Sequence, residues 1–136
     1  MIQRRFNRTS GQLALLILRL GLGVDLAMHG LVRIPKLTKF ADKLVGDFAT
    51  TLLPAVLVRG YALALPFVEL AIGVLLLVGG RFLVWGGLLG GLTMTSLIFG
   101  SALREEWSAV SIQLIHVLAF YLLLREAENR KPSQGF

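Results

Sequence analysis

The chain contains no cysteine. Thiolate nucleophiles, disulfide exchange and iron–sulfur ligation by this chain are thereby excluded, while the redox compartment stays open. Charge is scarce as well. Asp, Glu, Lys and Arg make up 16% of the residues, against about 25% in a soluble domain. Also missing are the many short alternating segments that a closed membrane barrel requires.

What is present is apolar: 55% of the residues are hydrophobic and the mean hydropathy is +0.73. Four stretches, 12–32, 61–80, 82–100 and 108–124, each approach the roughly 20 residues needed to cross a bilayer core. Backbone groups in lipid must be satisfied within their own segment, so these stretches are expected as helices. The expected fold is all-α: a polytopic membrane protein, a four-helix transmembrane bundle in one domain over 1–136. Too little polar chain remains for a second folded unit. Arg4, Arg5 and Arg8 before an apolar run imitate a secretory signal. Arg19 interrupts that run early and the apolar pattern continues to Val32, so the segment reads as a retained first helix.

Basic residues outnumber acidic ones, with a net charge of +6. They are scattered over loops without a nucleic-acid reading motif, so nucleic acid is not an expected partner. Lys and Arg flanking apolar spans meet anionic headgroups and set topology. One side of a four-span protein would hold Arg4, Arg5, Arg8, Arg81, Arg125, Arg130 and Lys131. The other would hold Arg33, Lys36, Lys39, Lys43, Arg59 and Arg104. The two sides are nearly balanced, and the N-terminal arginines of the first helix place both termini in the cytoplasm.

The first loop carries its own pattern over 35–58. Pro35 can open a helix. Leu37, Phe40, Ala41, Leu44, Val45 and Phe48 then recur on one helical face, with Lys36, Lys39, Asp42, Lys43 and Asp47 on the other. This is an amphipathic helix suited to an interface. A second apolar piece, 52–58, contains Pro54 and is too short to span. It is expected to dip in as a re-entrant segment or to cap the bundle.

Ionisable residues inside the spans are the best clue to function. Each costs roughly 2.5–3.5 kcal/mol near the bilayer centre, so they should face protein or water. Gln12, Arg19, Asp25, His29 and Arg33 fall within an arc of roughly 140° on the first helix, which Leu22 and Leu26 share. Asp25 and His29 are four apart and can bond on one face. Glu69 sits near the middle of the second span, where a carboxylate must be protonated or paired. Arg19 is the only deeply placed arginine, which predicts an Arg19–Glu69 contact. Gln113 and His116 are three apart on the fourth span.

Two readings of this set stay open. In one, Glu69 and Asp25 handle protons as catalytic groups, while Arg19, His29, Gln113 and His116 hold a ligand. In the other, the set is a group of buried pairs that lock the bundle. A haem is not expected, because His29 lies near one end of its span and His116 nearer the middle of another, whereas axial ligands must converge on one iron. No metal site is expected either, since no ligand spacing motif is present. Gly86, Gly87, Gly90 and Gly91 form overlapping small-xxx-small patterns that allow close helix approach, within the bundle or to a partner subunit.

Three places together resemble the DoxX family of small bacterial membrane proteins. They are Leu18-Arg19-Leu-Gly21-Leu-Gly23 with His29-Gly30 and Arg33; Glu69-Leu-Ala-Ile-Gly73 with Gly79 and Arg81; and Phe99-Gly100, Trp107 and Gln113-Leu114-Ile115. The resemblance covers about 15–124. It implies a four-helix bundle in the bacterial cytoplasmic membrane, related to a subunit of thiosulfate:quinone oxidoreductase. Arg19, His29 and Glu69 match the family's recurrent polar positions, whereas Asp25 is an addition and His116 replaces an aromatic residue. The expected function is a membrane subunit associated with quinone-linked redox chemistry, possessing no covalent cofactor and binding a quinone or similar lipid-soluble ligand. A partner redox protein or a second copy would complete it. The alternative is a non-catalytic membrane anchor or assembly factor.

Overall fold

A computed structural model of the chain describes residues 2–129, with side chains from Ser10 onward. The side chains of Arg4, Arg5 and Arg8, and all of Arg130 and Lys131, lie outside the described residues. Five α-helices follow one another: α1 (Ile2–Arg33), α2 (Leu37–Asp47), α3 (Ala55–Val78), α4 (Phe82–Leu103) and α5 (Trp107–Glu128). α1, α3, α4 and α5 are long and apolar enough to cross a membrane, as the hydropathy pattern predicts. Their outer surface exposes large apolar side chains, among them Ile17, Val24, Trp85, Leu92 and Ile115. Such a surface is costly in water and suited to acyl chains.

The four long helices form a ring in the order α1, α3, α4, α5 and back to α1. Short turns join α3 to α4 and α4 to α5, and α2 carries the chain from α1 to α3, so neighbours run antiparallel as in an up-down bundle. Gly79 and Gly80 take φ of 71° and 59°, a left-handed conformation that costs a side chain energy but glycine little. The turn lets the Phe82 amide donate to the Gly79 carbonyl at 3.1 Å, so α4 starts at once.

Glycine also sets how α1 and α3 align. A Cβ on Gly30 would strike the Pro66 carbonyl and Leu70, and one on Gly73 would strike the Ala27 backbone. Gly23 lies against Leu77 in the same way. These pairs (23 with 77, 27 with 73, 30 with 70) have residue numbers that add to 100, which is the antiparallel register of the two helices. On α4, Gly86 meets Leu75 and Leu76, Gly87 meets Leu123 and Leu124, and Gly90 accepts the ring of Phe120. These α4 glycines therefore serve packing within the bundle.

The bundle has two unlike halves. The half nearer the α3–α4 turn is filled by Leu15, Leu22, Leu26, Ile72, Leu76, Leu83, Phe120 and Leu123, with Met94 at its edge. The other half holds a cavity, and α2 lies across that end. Asp42 of α2 accepts from Arg59 of α3 at 2.8 Å, and Asp47 lies 3.8 Å from Arg104 at the end of α4. Phe48 is buried against Gly100 and beneath the Arg104 guanidinium, 5.3 Å from the ring centre.

The amphipathic helix of the first loop thus forms, after a single 3₁₀ turn at Ile34–Lys36. The piece 52–58 is not re-entrant. Pro54 is extended (φ −63°, ψ 141°) and stands at the N-cap of α3, and Ala55 to Val58 form that helix's first turn. The second span therefore begins six residues earlier than expected. Arg59, which marks a boundary in the sequence, is tolerated one turn into the helix because Asp42 neutralises it.

Candidate functional site

α1 and α5 present their polar residues to each other across the open half of the bundle. Asp25 Oδ2 lies 3.2 Å from His116 Nε2. On the other side of the same carboxyl group, His29 Nδ1 is 3.3 Å from Asp25 Oδ1 and 2.8 Å from the Asp25 backbone carbonyl. Helical spacing explains this second contact, since residues four apart stack on one face. His116 Nδ1 lies 2.9 Å from the Ile112 carbonyl. A carbonyl only accepts, so Nδ1 carries a hydrogen. His116 Nε2 then faces the Asp25 carboxyl group in a hydrogen bond that joins α1 to α5.

Glu69 is the other acidic group on this wall. Its side chain is 3% exposed, and Arg33 Nη1 donates to both oxygens, at 3.0 and 2.8 Å. The guanidinium lies over the ring of Phe40, 4.8 Å from its centre. Arg33 and not Arg19 is the partner of Glu69, which corrects the expected Arg19–Glu69 contact. The register decides it: Glu69 faces the region of residue 31 on α1, close to Arg33. Arg19 lies fourteen residues away from Arg33, about 21 Å along the helix.

Arg19 is not among the residues that line the cavity. Its Nη2 donates to the Leu77 carbonyl at 3.3 Å, and its guanidinium fills the space where Gly79 has no Cβ. A cation at the end of a helix satisfies orphan carbonyls and meets the negative end of the helix dipole. Arg19 is thus a cap for α3. Its Nε is buried without a hydrogen-bond partner.

The remaining polar residues complete the wall. Gln113 Nε2 donates to Ser101 Oγ at 3.0 Å, joining α5 to α4. Ser96 donates to the Thr93 carbonyl at 2.7 Å, so its only hydrogen is used. Tyr61, 2.6 Å from Ser96 Oγ, must therefore be the donor in that bond.

Asp25, His29, Arg33, Glu69, Gln113 and His116 all line one cavity of about 730 Å³. That volume lies within the usual range for small-molecule sites. The lid side is apolar: Phe40, Leu44, Phe48, Leu53 and Leu57. Access lies between α1 and α5, the most sparsely packed side of the ring, where Asp25 and His29 are 38% and 45% exposed.

Of the residues singled out in the sequence, the structure brings Asp25, His29, Glu69, Gln113 and His116 together and separates Arg19 from them. Sequence reasoning underrated Arg33, which it placed at the interface, and did not single out Tyr61, Ser96 or Ser101. Only Arg33 had a signal, being four residues from His29 on the same polar arc. Among the described residues no three His, Asp or Glu side chains form a group able to hold a metal ion. Compared with known proteins, the chain matches no family model, and no curated protein or solved structure is significantly similar to it.

Proposed function

We propose that this protein binds a lipid-soluble small molecule with a hydrogen-bonding head inside the bilayer. The observation that carries this reading is the cavity itself: an apolar lid faces a wall where α1, α3 and α5 converge their ionisable side chains. A quinone or a similar ring compound suits such a site, in keeping with the resemblance to the DoxX family. The protein would then serve as the membrane subunit of a quinone-linked redox system, in a bacterial cytoplasmic membrane with both termini inside. A partner would carry the electrons, since a chain without cysteine cannot ligate an iron–sulfur cluster through thiolates.

Within that reading the roles divide by geometry. Glu69 is held by Arg33 and positions it, so proton handling falls to Asp25 and His116, which are in hydrogen-bond contact across the cavity. The test is direct. Protein in nanodiscs should bind a short-chain quinone saturably, followed by tryptophan quenching. Gln113→Leu, which removes an amide N–H from the cavity wall, should weaken binding about tenfold, the order expected for losing one hydrogen bond. Arg19→Leu should leave it unchanged. Absence of saturable binding would favour the membrane-anchor reading instead.

A further inference from the structure

Most hydrogens on the cavity wall are already engaged within the protein. His29 Nδ1–H points at the Asp25 carbonyl and carboxylate. His116 engages the Ile112 carbonyl through Nδ1 and Asp25 through Nε2. Tyr61 donates to Ser96, as argued above, and Gln113 donates to Ser101. What these groups retain is mostly acceptor capacity, beside the second amide hydrogen of Gln113. His29 Nε2 has no partner among the described residues, the Tyr61 oxygen keeps its lone pairs, and Gln113 Oε1 is buried without a hydrogen-bond partner.

Geometry leaves His29 Nε2 as the free nitrogen, since the Asp25 backbone carbonyl only accepts and Nδ1 therefore carries a hydrogen. The neutral imidazole, with Nδ1–H held by Asp25, turns its Nε2 lone pair outward. An acidic group that holds one imidazole nitrogen so that the other can accept a hydroxyl proton is a recurrent arrangement in catalytic sites.

We infer that the cavity selects a ligand head bearing a hydroxyl, a phenol or hydroquinone, with its O–H donating to His29 Nε2. This rests on the ligand-binding reading above and narrows it to the hydrogen-donating form. Of the donors left over, those on Arg33, Ser101 and Arg104 lie toward the lid, and Gln113 keeps one amide hydrogen on α5. His29 and Arg33 are four residues apart, about 6 Å along α1. The two para oxygens of one aromatic ring can bridge that spacing, one donating to His29 and the other accepting from Arg33.

Three probes separate the possibilities: a short-chain hydroquinone kept under anaerobic conditions, the matching quinone, and the hydroquinone dimethyl ether, which keeps the ring but cannot donate. The hydroquinone should bind about tenfold more tightly than either of the others. His29→Leu should remove that preference while leaving quinone affinity within about twofold, and His29→Gln, which restores an acceptor oxygen, should recover part of it. Equal binding of the three probes, or a preference that survives in His29→Leu, overturns the inference while leaving the ligand-binding reading intact. If none of the three binds, both fall together. Size-exclusion profiles of the variants in detergent confirm that the fold is retained.

Discussion

Arg33 reaches from the last turn of α1 to the middle of α3 and places one nitrogen, Nη1, 3.0 and 2.8 Å from the two oxygens of Glu69. The carboxylate is almost fully buried and the guanidinium partly so. This pair joins the two helices that pack most closely in the bundle. Its consequences can be measured.

Breaking the pair from one side strands a charge. Arg33→Leu should destabilise the protein by about 3–5 kcal/mol, because Glu69 is then buried alone. Glu69→Leu should cost less, since Arg33 retains some exposure. The double variant Arg33→Leu/Glu69→Leu should be better tolerated than Arg33→Leu alone. The same cycle with Arg19 in place of Arg33 should be additive within about 0.5 kcal/mol, as for distant sites. Denaturation by sodium dodecyl sulfate in mixed micelles reads all of these, and coupling between Arg19 and Glu69 would refute the helix register.

Glycine substitutions test the register from the packing side. Gly30→Ala and Gly73→Ala put a methyl group into backbone of the facing helix, and each should cost about 1–3 kcal/mol. Gly21→Ala meets nothing within 4 Å and lies inside α1, where alanine is favoured over glycine by up to about 1 kcal/mol. It should be neutral or stabilising in the same assay. A reversed order would mean that α1 and α3 pack on different faces.

Asp25 is suited to a graded test. Asp25→Asn keeps an oxygen for His29 Nδ1–H and supplies an N–H for His116 Nε2. Its stability should stay within about 1 kcal/mol of the parent, whereas Asp25→Leu, which leaves two imidazoles without their common partner, should lose about 1–3 kcal/mol. Equal loss in both variants would show that a carboxylate, not a bridging hydrogen bond, is required.

Orientation can be read with single cysteines, since the chain has none of its own. Gly46 on α2 and Arg81 in the α3–α4 turn are both exposed and lie at opposite ends of the bundle. With both termini inside the cell, Gly46→Cys should react with a membrane-impermeant maleimide in intact cells. Arg81→Cys should react only after permeabilisation. The opposite labelling would invert the topology and place the lid at the cytoplasmic face.

The four spans, the amphipathic first-loop helix and most of the polar residues of the cavity were legible in the sequence. Hydropathy and helical periodicity are local properties: a run of apolar residues must be helical in lipid whatever packs beside it, and residues three or four apart share a face wherever the helix lies. Asp25 and His29 are legible for that reason. Pairing between helices is not local. Arg19 and Arg33 both lie on the polar arc of α1, and only the register against α3 selects which of them meets Glu69. That register is set by where Gly23, Ala27, Gly30 and Gly73 let two backbones approach. Tertiary packing likewise decided that α2 folds across the open end, that 55–58 joins α3, and that Asp25 meets His116. Each depends on contacts between segments far apart in the chain, whose free energy no single window of sequence contains.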